Sequence, residues 1–463
     1  MLVNDFLQHS AERFPDKEAL ICDGRRFTYA EIDQLANQMA LALLASGIQR
    51  GDRVVVYLPN CMEAVIAIFG ILKAGGVFVV INRTTKAHKV AFILNDCQAS
   101  AIITDEFAGE ELVTYLKASA SQCSIFLTNP PSEIPGEVRF QFLRDILASY
   151  PAALPPNRCI DMDLAALIYT SGSTANPKGV MLTHLNIVSA ATSITQYLEN
   201  QSSDIILNVL PLSFDYGLYQ VLMAFKIGGT LVLEKSFSYP FAIIEKIIQE
   251  RVTGFPIVPT MAAILVQLDG LANYHFEHLR YISNTAAHLP QAHIMKLRQI
   301  FPGTKIYCMY GLTECKRVSY LPPEMLDIKP NSVGKGMPNE EVYIVDENGQ
   351  RVGPGVVGEL VVRGSNVMKG YWGLPDETRR VLKPGLYPWE QVLYTGDLFK
   401  MDEDGFLYFV ARKDDIIKSR GEKVSPKEIE SVIYGLPGVA EVAVIGVPDA
   451  ILGQAIKAII VPN

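Results

Sequence analysis

Tyr169-Thr170-Ser171-Gly172-Ser173-Thr174-Ala175-Asn176-Pro177-Lys178-Gly179-Val180 is the stretch on which the reading of the fold turns. It follows an apolar run at 165–169 that reads as a buried strand. It then sets four hydroxyl side chains, two glycines and a lysine close together. Recognition of a polyphosphate needs these parts: free backbone N–H groups, hydroxyl donors and one mobile cation. The order G-x-x-x-x-G-K-[ST] is absent, so this is not a Walker loop. A solvated Ser/Thr/Gly turn is the bland alternative. A Gly-Lys loop leaving a buried strand favours the phosphate.

Strands and helices alternate on both sides of this loop. Upstream, residues 31–46 carry apolar positions at helical spacing, 53–58 read as a strand, 63–73 as a helix and 77–81 as a strand. The apolar run 64–81 is broken by Lys73 and Gly75-Gly76, so a buried helix, a turn and a buried strand explain it better than a membrane span. Downstream, 183–197, 217–225 and 241–250 read as helices, and 205–210 and 230–233 as strands. This alternation implies βαβ units and a mainly parallel sheet. From about 330 short strands (341–345, 358–363) are separated by Gly, Pro and Asn, which implies a smaller β-rich unit. The end holds one helix, 427–434, and two strands, 440–445 and 455–461. The fold class expected is α/β: two α/β subdomains and a small β-rich one, then a small α+β end.

At roughly 150 residues per domain, 463 residues suggest about three folding units. Lys and Arg total 41 and Asp and Glu 49, a net charge of −8, so no basic excess exists to bind a nucleic acid. Hydrophobic residues make up 49%, which excludes a disordered chain. Seven cysteines without a C-x-x-C pair argue against a disulfide framework and for a reducing, cytoplasmic compartment. No secretory leader is legible at residues 1–14. The seven histidines show no metal-ligand spacing, and His275 with His278 reads as a solvated helix edge or turn.

The loop resembles the phosphate loop of AMP-forming adenylating enzymes: acyl-CoA synthetases, adenylation domains of non-ribosomal peptide synthesis, and luciferases. Ala175 stands where that family usually has glycine. Tyr29 with Glu31, and Leu72 to Gly76, fit its N-terminal landmarks. Tyr310-Gly311-Leu312-Thr313-Glu314 matches its Y-G-x-T-E turn, and Tyr394-Thr395-Gly396-Asp397 its ribose element. Arg412-Lys413-Asp414-Asp415 resembles its hinge segment, with Ala411 at a usual glycine. The resemblance implies that Thr170 to Thr174 and Lys178 hold the phosphates of ATP, and that Tyr310 stacks on adenine beside Gly311. It also implies that Thr313 donates to the α-phosphate, Glu314 holds Mg²⁺, Asp397 takes the ribose diol, Arg412 touches the nucleotide and Asp414 is the hinge. Lys178, Thr313 and Glu314 are the catalytic candidates. Residues 1–413 would form the large domain, with subdomains at about 1–150, 151–330 and 331–413, and 414–463 a partial lid.

The implied reaction has two halves. A carboxylate attacks the α-phosphate, pyrophosphate leaves, and a thiol of coenzyme A or of a carrier protein's phosphopantetheine displaces AMP. The family's catalytic lysine lies in a C-terminal P-K-x-x-x-G-K type segment, and the sequence ends at Asn463 without it; Lys457, within a strand, is no replacement. A truncated small domain and weak adenylate formation are therefore expected. The acid pocket should be lined by 214–219, 258–263 and 283–288, with Phe214, Asp215, Tyr219, Thr285 and Ala286 as contacts. In amino-acid-activating relatives an F-D pair here binds the substrate ammonium; Asp215 as a helix N-cap is the plain alternative. A small amino acid such as proline, loaded onto a separate carrier protein, is the first reading. An acyl- or aryl-CoA ligase is the second, and a catalytically impaired nucleotide-binding relative the third. Lys316-Arg317 reads as a solvated basic pair.

Overall fold

The apolar run at 64–81 resolves into a buried helix, Met62–Lys73, a turn at Gly75-Gly76, and a buried strand, Val77–Val80. Lys73 is the one charge in that run. Its ammonium finds Asp33 Oδ1 at 2.5 Å and Asn37 Oδ1 at 2.6 Å on the neighbouring helix Tyr29–Ala45. A charge this buried is tolerated because it is paired and hydrogen-bonded. That helix starts at a capping box, Thr28 with Glu31, which satisfies two backbone donors. Phe69 stacks on Phe225 of helix Asp215–Ile227 with centroids 5.1 Å apart.

The computed structural model describes residues 1–106, 110–118, 123–130, 140–170, 176–419, 422–449 and 453–462. The chain divides into two units. The first comprises Met1–Arg317, Met337–Asn339 and Ser365–Thr378. It contains an eight-stranded sheet in the order Gly370–Tyr371, Lys178–Thr183, Leu164–Thr170, Val77–Val80, Arg53–Tyr57, Ala101–Thr104, Ser124–Leu127, Gln141–Phe142. Pairing is parallel from Leu164–Thr170 onward and antiparallel at the other end. Seven further strands of this unit run Lys305–Tyr310, Tyr281–Asn284, Gly254–Ile257, Ile205–Asn208, Thr230–Leu233, Glu18–Cys22, Arg25–Thr28. All but the last pairing are parallel.

The boundary expected near 150 follows neither sheet. Glu18–Cys22 pairs with Thr230–Leu233, Leu20 opposite Leu231, while Leu164–Thr170 and Lys178–Thr183 join the sheet built from the N-terminal strands. The physical reason is that a buried apolar strand advertises burial, not which neighbour it takes.

The second unit comprises Val318–Gly336, Glu340–Gly364 and Arg379–Asn463. Its five-stranded antiparallel sheet holds Glu340–Val345, Gly358–Gly364, Gln391–Met401, Leu382–Pro384 and Leu407–Arg412. A four-stranded sheet follows: Glu422–Val424, Ile417–Ser419, Gly453–Pro462, Val439–Asp449, with helix Pro426–Tyr434. A β-rich region after 330 and a small α+β end are what the sequence implied. Among the described residues no helix is long and apolar enough to cross a membrane.

Candidate functional site

The described flanks of the quoted stretch pair as the two strands of an antiparallel hairpin. Leu164–Thr170 enters it and Lys178–Thr183 leaves it, with Thr170 opposite Lys178. Ser171, Gly172, Ser173, Thr174 and Ala175 lie outside the described residues. Thr170 and Lys178 are half-buried at the two feet. The Lys178 ammonium bonds Glu377 Oε2 at 2.8 Å and sits 5.5 Å from the centroid of the Tyr371 ring.

Tyr371 is held there by the backbone. Lys369 N–H donates to Met181 O at 2.9 Å, and Trp372 N–H donates to Gly179 O at 2.8 Å. Residues 369–372 are thereby zipped onto the outgoing strand of the hairpin. Gly370 has φ 134°, and a Cβ there would meet Thr378 Cγ2 at 2.7 Å, so glycine is required. Thr378 Oγ1 accepts the Tyr371 N–H at 2.9 Å and fixes the entry to helix Pro375–Val381. The Tyr371 hydroxyl donates to Glu314 Oε1 at 2.7 Å. Burial, and then Glu314, hold that phenol well above its ordinary pKa, so it stays a donor.

The Y-G-x-T-E turn leaves strand Lys305–Tyr310 and doubles back on itself. A Cβ on Gly311 would lie 2.6 Å from Lys316 O and 2.9 Å from Arg317 Cα, and only glycine permits that approach. Tyr310, Thr313 and Glu314 are half-buried. Asn366 Nδ2 braces the turn through Cys315 O at 2.9 Å, and Met368 N–H donates to Glu314 O at 2.7 Å. Lys178 and Glu314, far apart in sequence, thus meet on one tyrosine. Tyr371 and Glu377 were not picked out from the sequence; Gly370-Tyr371-Trp372-Gly373 ahead of Pro375-Asp376-Glu377 was the available signal.

Lys316 and Arg317 are not the solvated pair expected. They are 3% and 1% exposed. The Lys316 ammonium lies 3.3 Å from Asp215 Oδ2 and 4.4 Å from the Tyr219 ring centroid. The Arg317 guanidinium lies 5.1 Å from the Tyr216 ring, and its buried Nε has no hydrogen-bond partner among the described residues. Burial drives the Lys316 pKa down to about 7; Asp215 pulls it up and Arg317 pushes it further down. The charges are turned inward because tyrosine faces and one carboxylate receive them. Asp215 is the first residue of its helix, with Phe214 at the N-cap position and no side-chain cap bond there. The Tyr216 hydroxyl is 2.7 Å from Ser283 O. Tyr219 and Thr285 are buried, Phe214 is half-buried, and Ala286 is exposed at φ 78°.

In the second unit Asp397 stands opposite Arg412 on adjacent strands, Nε to Oδ1 3.6 Å. Thr395 donates to Leu360 O at 2.8 Å and accepts the Asp397 N–H at 3.2 Å, which fixes the carboxylate's backbone. Asp397 is buried, whereas Arg412 and Asp414 are exposed. Lys457 lies in a strand opposite Ile445. His184 is buried, accepts the Val3 N–H at Nδ1 at 3.0 Å, and is held neutral by burial with its pKa lowered to about 4. His275 and His278 are exposed. No group of three or more His, Cys, Asp or Glu suited to a metal occurs among the described residues. Glu314 offers one carboxylate that could hold Mg²⁺ carried in on phosphates, since that ion keeps oxygen ligands from phosphate and water.

A model of AMP-binding enzymes matches residues 7–372, and one of the AMP-binding enzyme C-terminal domain matches 428–463. The chain is 32% identical to a long-chain-fatty-acid–CoA ligase of Bacillus subtilis, over 99% of this chain and 85% of that protein. It is 34% identical to a feruloyl-CoA synthase of Amycolatopsis sp, over 98% and 87%. Among solved structures, ATP-bound MatB from Rhodopseudomonas palustris superposes with a TM-score of 0.89 at 28% identity, covering 100% of this chain and 89% of that one.

Proposed function

We propose that this chain, which belongs to the AMP-binding enzyme family, activates a short, charged carboxylic acid as its acyl-adenylate with ATP and passes the acyl group to a thiol. The observation that supports the first half is the meeting of Lys178 and Glu314 on Tyr371. Attack on an α-phosphate is mainly a matter of positioning and charge neutralisation. Lys178 supplies a cation for the phosphates, and the Thr313 hydroxyl donates to the α-phosphate. Magnesium supplies neutralisation of phosphate charge when bound, and Glu314 is the residue that would hold it. Tyr310 offers a face to adenine, Asp397 accepts from the ribose diol, and Arg412 neighbours it. Asp414 serves as the hinge between 1–413 and the segment that follows.

The acid reading rests on the buried charges at Asp215, Lys316 and Arg317. A plain alkyl chain gains nothing from three such groups, and burying them costs free energy. With Lys316 near its pKa at neutral pH, the set offers one carboxylate for an ammonium and one guanidinium for a second polar group. That supports an amino acid. A charge-assisted contact of this kind is worth about 1.5–3 kcal/mol. The acceptor is a phosphopantetheine thiol, and the named activities of the curated relatives put coenzyme A before a carrier protein.

Hydroxamate trapping over amino, dicarboxylic, fatty and aromatic acids tests the whole reading. Signal from amino acids, lost selectively in Asp215→Ala, supports it. Signal from fatty or aromatic acids alone replaces it with an acyl- or aryl-CoA ligase.

A further inference from the structure

We propose that Glu377 is the counter-ion that holds Lys178 in the nucleotide-free protein and yields it to the triphosphate. The inference rests on the reading of Lys178 as the phosphate cation. Lys178 and Glu377 are bonded at 2.8 Å, with side chains only 18% and 26% exposed. Glu377 is not a drifting surface carboxylate. Its helix, Pro375–Val381, also carries Thr378, whose Oγ1 receives the Tyr371 N–H, and residues 369–372 are zipped onto the strand that Lys178 opens. One scaffold therefore fixes both ends of the ion pair.

A half-buried ammonium needs an anion, and the phosphates are a better one than a single carboxylate. The two anions repel each other at one lysine, so the triphosphate competes with Glu377 for it. The lysine does not have to move when that happens. The Tyr371 ring lies 5.5 Å from its ammonium, and the same ring's hydroxyl stays on Glu314. The exchange also runs in reverse. When pyrophosphate leaves, Glu377 returns to Lys178 and lowers the affinity for what has just departed. Glu377 is thus a positioning residue that tunes both capture and release.

The test is isothermal titration of the full chain with Mg·ATP and with Mg·pyrophosphate. Glu377→Gln removes the competing charge and keeps the shape. Both ligands should then bind about three- to tenfold tighter, between the range for exposed pairs and that for charge-assisted bonds. The acid's affinity should not change. Glu377→Asp, which keeps the charge, should stay near the unmodified protein and separates charge from packing. In a Lys178→Met background the Glu377→Gln effect should vanish. Unchanged or weaker ATP and pyrophosphate binding in Glu377→Gln overturns the proposal. A Lys178→Met protein that binds ATP normally overturns it as well, and places the failure in the role given to Lys178.

Discussion

Lys316 carries a prediction that can be worked through in full. In the unfolded chain its ammonium has an ordinary pKa of 10.5, and in the fold burial lowers it to about 7. Between these values the unfolded chain binds a proton that the folded chain does not. Stability therefore rises with pH across that window, by about 1.4 kcal/mol per pH unit for one proton. Over the whole window the gap amounts to roughly 5 kcal/mol. Lys316→Met keeps the volume and removes the proton site. It also leaves Asp215, 8% exposed, without its hydrogen-bond partner at 3.3 Å, so absolute stability changes for a second reason. The slope isolates the first. Urea unfolding at several pH values from 7 to 9 should show the midpoint climbing in the unmodified protein and a flatter course in Lys316→Met. Carbon NMR of the lysine ε positions should show one resonance titrating near neutrality, absent from the variant. Lysine resonances that all titrate above pH 9, or equal slopes in the two proteins, would refute the reasoning.

Three further outcomes are expected. His184 sits below its ordinary 6.5, at about 4, through burial, so stability should fall as pH drops from 6.5 towards 4; thermal midpoints at pH 4.5 and 7 should differ less in His184→Gln. Gly311→Ala forces a Cβ to 2.6 Å from Lys316 O and should cost about 1–3 kcal/mol, read as a lowered unfolding midpoint; an unchanged midpoint would contradict the close approach. Asp397→Ala should weaken AMP binding about tenfold, roughly 1.4 kcal/mol, and a 2′,3′-dideoxy analogue should show no such loss; an equal loss for both would remove the ribose role.

Much of the architecture was legible because burial and period are local properties. The run 64–81 declared its helix, turn and strand, and Thr230–Leu233 announced itself by three consecutive apolar residues, Leu231 to Leu233. The strands flanking 171–177 and the turn at 310–314 were legible by motif. Partnership was not. Nothing near Glu18 says that its strand pairs with one beginning at Thr230. Lys316-Arg317 looked solvated because two adjacent cations usually are; their burial depends on Asp215 and Tyr216, which lie about a hundred positions earlier. Glu377 was missed for a related reason. An acidic residue in the first turn of a helix is commonplace, and only its distance to Lys178 distinguishes it.

The interleaved sheets bear on how the chain can be made. A ribosome releases Glu18–Cys22 long before Thr230–Leu233 exists to pair with it. The strand Val77–Val80 likewise waits for Leu164–Thr170, and Lys178–Thr183 waits for Gly370–Tyr371. Pairings this distant in sequence close slowly, and their unfilled edges stay open to other chains in the meantime. Cutting the gene near codon 150 would therefore not yield two foldable halves. It would strand one sheet without its first parallel strand and the other without Leu164–Thr170 and Lys178–Thr183, and both pieces should aggregate unless they are produced together.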